Sequence, residues 1–171
     1  MVQNSAFRRM ISVDPGLTFG WAAWQDREVQ LTGQSNTTIG DWHLLETGIF
    51  ETSPKDEFAI RLFQIGREFA RVVARHQGCE MVYIEEPFFD EKNTAVNKSG
   101  ALVKLSASVG ALLGAITEQR IRVETVPVRK WKGQLPKEIT HKRIQLELPN
   151  CKATSHALDA VGIGLYKVGR F

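Results

Sequence analysis

The chain has 171 residues, the length of one ordinary domain with its own hydrophobic core. Apolar residues make up 43% of it and charged residues 24%, which excludes a disordered or fibrous protein. The net charge of +3 is compatible with a polyanionic partner without demanding one. The two cysteines have no metal-type spacing, and no apolar run approaches the roughly 18 residues of a membrane span. We therefore expect a single domain over residues 1–171, located in the cytoplasm and outside any membrane.

Three strands are predicted in the first third of the chain. The apolar segment Arg9–Val13 stops at the turn signal Asp14-Pro15-Gly16 and reads as a short buried strand. A second strand is predicted over Phe19–Trp24, followed by a long polar loop or hairpin extension over Gln25–Asp41. A third strand is predicted over Trp42–Phe50. The tight first connection favours an antiparallel meander.

Helices and strands alternate in the rest of the chain. The segment Pro54–His76 carries apolar residues at helical spacing, with Pro54 suited to the first turn and Gly78 to the C-terminal end. The later predicted elements are a strand over Met81–Ile84, a loop over Pro87–Asn97, a helix over Ser99–Gln119, a strand over Ile121–Val126, and helices over Pro136–Leu148 and Thr154–Val168. This order predicts an α/β domain with a mixed five-stranded sheet flanked by helices.

Acidic residues stand at the ends of several of these elements. Asp14 follows the first strand, Glu85 ends the fourth, and Asp159 lies near the start of the last helix. His156 precedes Asp159 by three residues, so both can lie on one face of that helix. The four side chains can converge if the first and fourth strands are neighbours in the sheet.

Such a cluster suits metal-assisted hydrolysis of a phosphodiester. Carboxylate oxygens favour Mg²⁺, for which Mn²⁺ can substitute, and two ions about 3.5–4 Å apart can clamp the attacking and leaving oxygens. Each residue also has an ordinary structural interpretation. Asp14 can initiate a turn, Glu85 can be a surface charge, Asp159 can favour a helix N-terminus, and His156 can be a partly buried histidine.

Three stretches resemble the RuvC family of Holliday junction resolvases. They are Ile11–Gly20 (ISVDPGLTFG), Tyr83–Phe89 (YIEEPFF) and the final helix from Ala153 to Leu165. The segment Lys104–Gly110 is also similar to the middle of the second helix of that family. Together with the element order, the resemblance covers nearly the whole chain and implies the RNase H-like fold.

The resemblance implies roles for the acidic residues. Asp14, Glu85 and Asp159 correspond to metal-binding carboxylates, and the alignment favours Glu85 over Glu86 because Glu85 directly follows the isoleucine. His156 stands where many members have a fourth acid and some have histidine, so it can bind metal or orient the attacking water. Its place near a helix N-terminus favours a neutral imidazole.

Aromatic and basic residues form the expected DNA-binding surface. In the family, an aromatic residue after the catalytic strand stacks on bases at the junction. This suggests Phe88 or Phe89, with Phe88 favoured by its position, although either can equally anchor the loop to its own domain. Basic residues near the predicted site can contact phosphates, with an ordinary solvated face as the alternative. The basic residues are Lys92, Lys98, Lys104, Arg129, Lys130, Lys132, Lys137, Lys142 and Arg143.

The expected function is that of a homodimeric, Mg²⁺-dependent endodeoxyribonuclease that resolves four-way junctions in DNA recombination and repair. Two subunits related by a two-fold axis would make paired cuts that leave 5′-phosphate and 3′-hydroxyl ends, with the second predicted helix as the dimer interface. One alternative is another RNase H-like nuclease acting on branched DNA, RNA–DNA hybrids or structured RNA. The other is a junction-binding protein without catalysis.

Overall fold

The computed structural model describes residues 8–27, 41–87 and 100–171. Five strands form one mixed sheet in the order β3-β2-β1-β4-β5. The strands are β1 (Arg9–Asp14), β2 (Thr18–Arg27), β3 (Asp41–Glu51), β4 (Cys79–Glu86) and β5 (Arg122–Pro127). The pairs β1–β2 and β2–β3 are antiparallel, whereas β1–β4 and β4–β5 are parallel. The predicted sheet is therefore confirmed, with β1 and β4 as neighbours.

The strands β2 and β3 extend beyond the predicted strands Phe19–Trp24 and Trp42–Phe50. Gln25 and Asp26, which we expected in a loop or a hairpin extension, form a hairpin extension and pair with His43 and Trp42 of β3. The pattern ended the strand too early because polar residues interrupt its apolar run, while the backbone ladder continues without regard to side-chain polarity. The remainder of the predicted loop, residues 28–40, lies outside the described residues.

Five helices accompany the sheet in the described ranges. They are α1 (Phe58–Arg75), α2 (Ala101–Ile116), the short α3 (Val128–Trp131), α4 (Lys137–Glu147) and α5 (Ser155–Lys167). The prediction that α1 begins at Pro54 is wrong, because Pro54 lies in a turn and the helix starts after Glu57. The sequence pattern also missed α3, since four residues are too few to show helical periodicity. None of the described helices combines the length and apolar character needed to cross a membrane.

The alternation of side chains along the strands creates a core on each face of the sheet. Ile11 and Val13 of β1 pack with α1 and α2 in one core. Met10 of β1 packs with α4 and α5 in the other core. Asp14 therefore points to the face that α5 covers, because it has the same parity as Met10.

Helix α5 approaches the sheet unusually closely at two glycines. A β-carbon at Gly20 of β2 would lie 2.1 Å from the carbonyl oxygen of His156, and one at Gly164 would lie 2.2 Å from Nε1 of Trp24. The Ser12 hydroxyl donates a 2.7 Å hydrogen bond to the carbonyl of Ala160 at this interface. The absence of side chains at the two glycines thus brings the start of α5 against the end of β1, where Asp14 lies.

The contact at Gly20 predicts a sharp dependence of stability on this residue. Gly20→Ala should lower the free energy of unfolding by about 1–3 kcal/mol or more, because the new methyl group meets backbone that cannot rotate away. Urea denaturation followed by circular dichroism measures this change. The control is Gln145→Ala on α4, where the substituted side chain is exposed. The control should be neutral or stabilising by up to about 1 kcal/mol, and equal stability of both variants would contradict the packing described.

Candidate active site

Four side chains from three elements meet at one end of the sheet. Asp14 ends β1 and Glu85 lies one residue before the end of the parallel neighbour β4, so both reach the same sheet edge. His156 and Asp159 come from the first turns of α5, which packs over this edge. The structure thus brings together the four residues that the sequence nominated for catalysis.

Asp14 and His156 form the closest contact in this cluster. Nδ1 of His156 lies 2.7 Å from Oδ2 of Asp14, within hydrogen-bonding distance. Burial raises the pKa of the Asp14 carboxyl, the hydrogen bond to His156 opposes that rise, and the charge of Asp159 adds to it. Because the pKa of Asp14 responds to Asp159, the two carboxylates lie within electrostatic reach of each other.

The expected neutral form of His156 is not supported by this contact. Its hydrogen bond to Asp14 raises the pKa of His156, and this effect outweighs the opposing effect of burial. The expectation of a neutral imidazole considered only the partial positive charge of the helix N-terminus. A full carboxylate charge at 2.7 Å acts more strongly than a partial charge distributed over a helix turn.

Glu85 is held from the side of β5 and α3. Oε2 of Glu85 accepts a 3.0 Å hydrogen bond from Nε1 of Trp131, whose side chain is buried. Burial raises the pKa of Glu85 to about 7, with further contributions from the charges of Asp14 and Asp159. The next residue along the strand, Glu86, is exposed and has the opposite parity, so Glu85 is the one that faces the cluster.

Asp159 is held on both carboxylate oxygens by helix α4. Nε2 of His141 lies 2.9 Å from Oδ1, and Nζ of Lys137 lies 2.8 Å from Oδ2. Lys137 and His141 are one helical turn apart and therefore share the face of α4 that is turned toward α5. Lys137, which the sequence nominated for phosphate contact, is thus engaged with a carboxylate in this arrangement.

The donor set fits hard divalent cations. Burial and the charges of neighbouring carboxylates raise the cost of ionising Asp14 and Glu85, and cations between these groups would remove that cost. In the described part of the chain, no three such donors stand close enough together to hold an ion as placed. His156 and Lys137 instead supply the positive charge next to Asp14 and Asp159. The chemistry of the residues therefore suits a metal, while their present partners are protein groups.

The other nominated DNA-binding residues are distributed over two regions. Exposed basic residues surround α3 and α4 near the site; they are Arg129, Lys130, Lys142 and Arg143. Lys132 is partly buried, and its Nζ lies 5.6 Å from the ring centre of Trp131. Lys104 is exposed on α2, across the sheet from α4. Phe88, Phe89, Lys92 and Lys98 lie outside the described residues.

Sequence reasoning missed two residues of this site. His141 was not singled out, and Trp131 was treated only as an interruption of a basic run. A tryptophan in a polar segment is a usable signal, because a buried indole needs a partner for its N–H group. The spacing Lys137–His141 of one helical turn is a weaker signal, since it shows a shared face without showing what that face meets.

The strand order β3-β2-β1-β4-β5, with helices on both faces of the sheet, is that of the RNase H-like fold. Solved structures of Holliday junction resolvases agree with this assignment. The RuvC protein of Thermus thermophilus, in complex with a Holliday junction substrate, has a TM-score of 0.69 and 24% sequence identity. The similarity covers 92% of this chain and 91% of that chain.

Two further resolvases have the same architecture. The fowlpox virus resolvase in complex with Holliday junction DNA has a TM-score of 0.56 and 12% identity, over 95% of this chain and 99% of that chain. The yeast mitochondrial Holliday junction resolvase has a TM-score of 0.57 and 8% identity, over 94% and 76%. No protein-family model and no curated protein sequence matches the chain. The chain therefore has the fold of RuvC-type resolvases, shown by structure.

The raised pKa of Glu85 predicts that this site reduces stability. Glu85→Gln should increase the free energy of unfolding by about 1–3 kcal/mol at pH 8, because the amide oxygen still accepts from Trp131 while the buried charge is removed. The ordinary pKa of 4.5 applies to the unfolded chain and about 7 to the folded chain. The destabilisation is therefore complete above pH 7 and disappears as the pH falls toward 4.5.

Chemical denaturation at pH 5 and pH 8 in the presence of EDTA measures this difference. Glu86→Gln is the matched control, because the exposed neighbour should change stability by less than about 0.5 kcal/mol. A gain for Glu85→Gln that is equally large at both pH values would exclude a buried charge as its cause.

Proposed function

We propose that the protein is a metal-dependent endodeoxyribonuclease that resolves four-way DNA junctions as a homodimer. The observation that carries the proposal is the convergence of Asp14, Glu85, Asp159 and His156 at one sheet edge. The fold adds support, because the resolvases that share it include two solved with Holliday junction DNA.

The three carboxylates would hold Mg²⁺ or Mn²⁺, with two ions as the expected number and His156 as a further ligand or a base. When bound, such ions would activate water for attack at neutral pH and neutralise charge on the phosphate. Hydrolysis would form a bond from the water oxygen to phosphorus and break the bond from phosphorus to the 3′ oxygen. The products are a 5′-phosphate and a 3′-hydroxyl, the latter protonated from solvent.

Residues around the acids have their own tasks in this proposal. Trp131 and His141 hold Glu85 and Asp159 in fixed orientations through their N–H groups. Exposed cations such as Lys130, Lys142 and Arg143 would attract and position the DNA backbone, which the carboxylates alone would repel.

A dimer would explain how two strands of a junction are cut in a matched way. Helix α2 is the proposed interface, because its exposed side carries Val103, which is 70% exposed, together with Gly110 and Gly114. A β-carbon at either glycine would meet nothing within 4 Å, so a second backbone could approach there.

The two alternatives differ from this proposal in testable ways. A binding protein without catalysis would gain nothing from Glu85, whose buried carboxyl has a pKa of about 7 and reduces stability when ionised. This cost favours a catalytic role. A nuclease for hybrids, other branched DNA or structured RNA would use the same residues, so only the choice of substrate separates it from a junction resolvase.

Asp14→Asn should reduce cleavage of a synthetic four-way junction by at least about 100-fold, the scale on which groups that stabilise transition-state charge act. Its affinity for the junction in EDTA should be retained, because one negative charge is removed from the DNA-facing site. Glu118→Gln, exposed beyond the end of α2, is the control and should cleave normally. Parallel assays use flaps, RNA–DNA hybrids and structured RNA. Cleavage of any of these without cleavage of the junction would show that the proposed substrate is wrong. Normal cleavage by Asp14→Asn would show that the proposed active site is wrong.

The two side chains that contact Asp159, His141 and Lys137, should have opposite effects on metal affinity. His141→Ala should weaken Mn²⁺ binding by about 10–100-fold, because the carboxylate loses the N–H group that orients it. Lys137→Met should tighten Mn²⁺ binding, because the ammonium group competes for Oδ2. Titration of free Mn²⁺ by electron paramagnetic resonance without DNA measures both.

His141→Gln serves as the conservative variant, because its amide can donate to the same carboxylate oxygen. It should recover most of the Mn²⁺ affinity that His141→Ala loses. Unchanged affinity in His141→Ala, at unchanged thermal stability, would show that α4 does not orient the site.

A further inference from the structure

A second polar cleft lies at the opposite end of the sheet from the acids. It has a volume of about 560 Å³ and is formed where β1, β4 and β5 begin. Its lining includes four arginines and one acidic residue; they are Arg8, Arg9, Arg120, Arg122 and Glu80. Arg9 and Asp14 mark the two ends of β1, so the cleft and the acidic site are about 17 Å apart along the strand.

The arginines of the cleft are poorly neutralised. Only Arg8 forms an ion pair there, with Asp26, among the residues that the structure describes. Arg9 donates to neutral acceptors, the side-chain oxygen of Gln25 at 3.0 Å and the carbonyl of Gln77 at 2.8 Å. Within the described residues, Arg120 and Arg122 have neither an ion pair nor a side-chain hydrogen bond. Three guanidinium groups therefore lie beside one cleft without an ion pair among the described residues, and Glu80 is the one acidic residue in its lining.

The backbone at Arg120 gives an independent indication. Its φ of +34° makes it the one non-glycine residue with positive φ in the described ranges. Left-handed backbone costs a residue with a β-carbon of order 1 kcal/mol, and glycine would avoid that cost. A strained arginine in a connecting turn that also lines the cleft is the pattern expected where the side chain has a function.

Aromatic side chains form the other part of the cleft wall. Trp42 and Tyr83 both line it. The guanidinium of Arg8 lies 5.8 Å from the ring centre of Trp42, and Nζ of Lys167 lies 4.6 Å from that of Tyr83. Basic grooves with interleaved aromatic residues bind single-stranded nucleic acid, because phosphates pair with the cations while bases stack on the rings.

We propose that this arginine cleft binds a single-stranded segment of nucleic acid, separately from the acidic site. Its volume is in the range of pockets that enclose small ligands, so it has room for one or two nucleotides. The choice of nucleic acid as the ligand rests on the proposed function. The cleft would hold an unpaired strand of the substrate while the opposite end of the sheet carries the cleavage chemistry.

The test uses fluorescence anisotropy with a labelled ten-residue oligothymidylate in EDTA, over a range of salt concentrations. The double variant Arg120→Gln/Arg122→Gln should lower affinity at least tenfold at low salt and reduce the salt slope, by about 0.7 for each phosphate that the cleft no longer binds. The matched control is Arg67→Gln/Arg71→Gln on α1, which removes the same charge from a distant surface and should change affinity less than twofold. An equal loss of affinity in both double variants would show that only net charge matters and would contradict the proposed cleft.

Arg120→Gly separates binding from folding. It should raise the melting temperature by a few degrees, because the strained φ is relieved, while it weakens oligothymidylate binding. Wild-type affinity in Arg120→Gly would overturn the proposal, as would equal competition by a polyglutamate peptide.

Junction cleavage by the same variants keeps the two proposals distinct. If the protein binds the oligonucleotide through these arginines but cuts no substrate, the proposed cleft stands and only the proposed nuclease activity is contradicted. If the protein cuts junctions while both arginine variants bind the oligonucleotide normally, only the proposed cleft is contradicted.

Discussion

The backbone contact between Gly20 and the start of α5 is the constraint on which the site depends. A β-carbon at Gly20 would lie 2.1 Å from the His156 carbonyl, so no other residue allows the helix to come this close. The contact brings His156 to within 2.7 Å of Asp14 and puts Asp159 within electrostatic reach of it. The Ser12 hydroxyl also donates a hydrogen bond to the carbonyl of Ala160 at this interface, so the helix is fixed in both distance and register relative to β1.

Once α5 is fixed in this way, the burial of the carboxylates lowers the stability of the fold, and the surrounding residues reduce this cost. His156 binds Asp14, Trp131 binds Glu85, and α4 holds both oxygens of Asp159. None of these partners removes the cost fully, since the pKa of Glu85 remains near 7. Such residual cost is typical of sites that are completed by cations or substrate, and it connects the packing of the helix with the proposed chemistry.

The sheet also separates two kinds of charge. One end carries carboxylates at the carboxyl ends of the parallel strands, whereas the other end carries arginines where those strands begin. The net charge of +3 does not show this division, because it sums 22 basic and 19 acidic residues over the whole chain. A polyanion would meet repulsion at the first end unless cations were bound there, and attraction at the second.

The sequence alone determined the order of elements, the strand–turn at Asp14 and the choice of the four acidic-site residues. Apolar periodicity and turn residues are local signals, and so they can be read without coordinates. The tertiary structure alone decided which side chains partner these four: His141 and Trp131 are distant in sequence from the acids they contact, and the ion pair of Asp159 with Lys137 depends on how α4 packs on α5. The rise in the pKa of His156 was missed for the same reason. The carboxylate that contacts His156 belongs to Asp14, 142 positions earlier in the chain, so no local sequence pattern can show this contact.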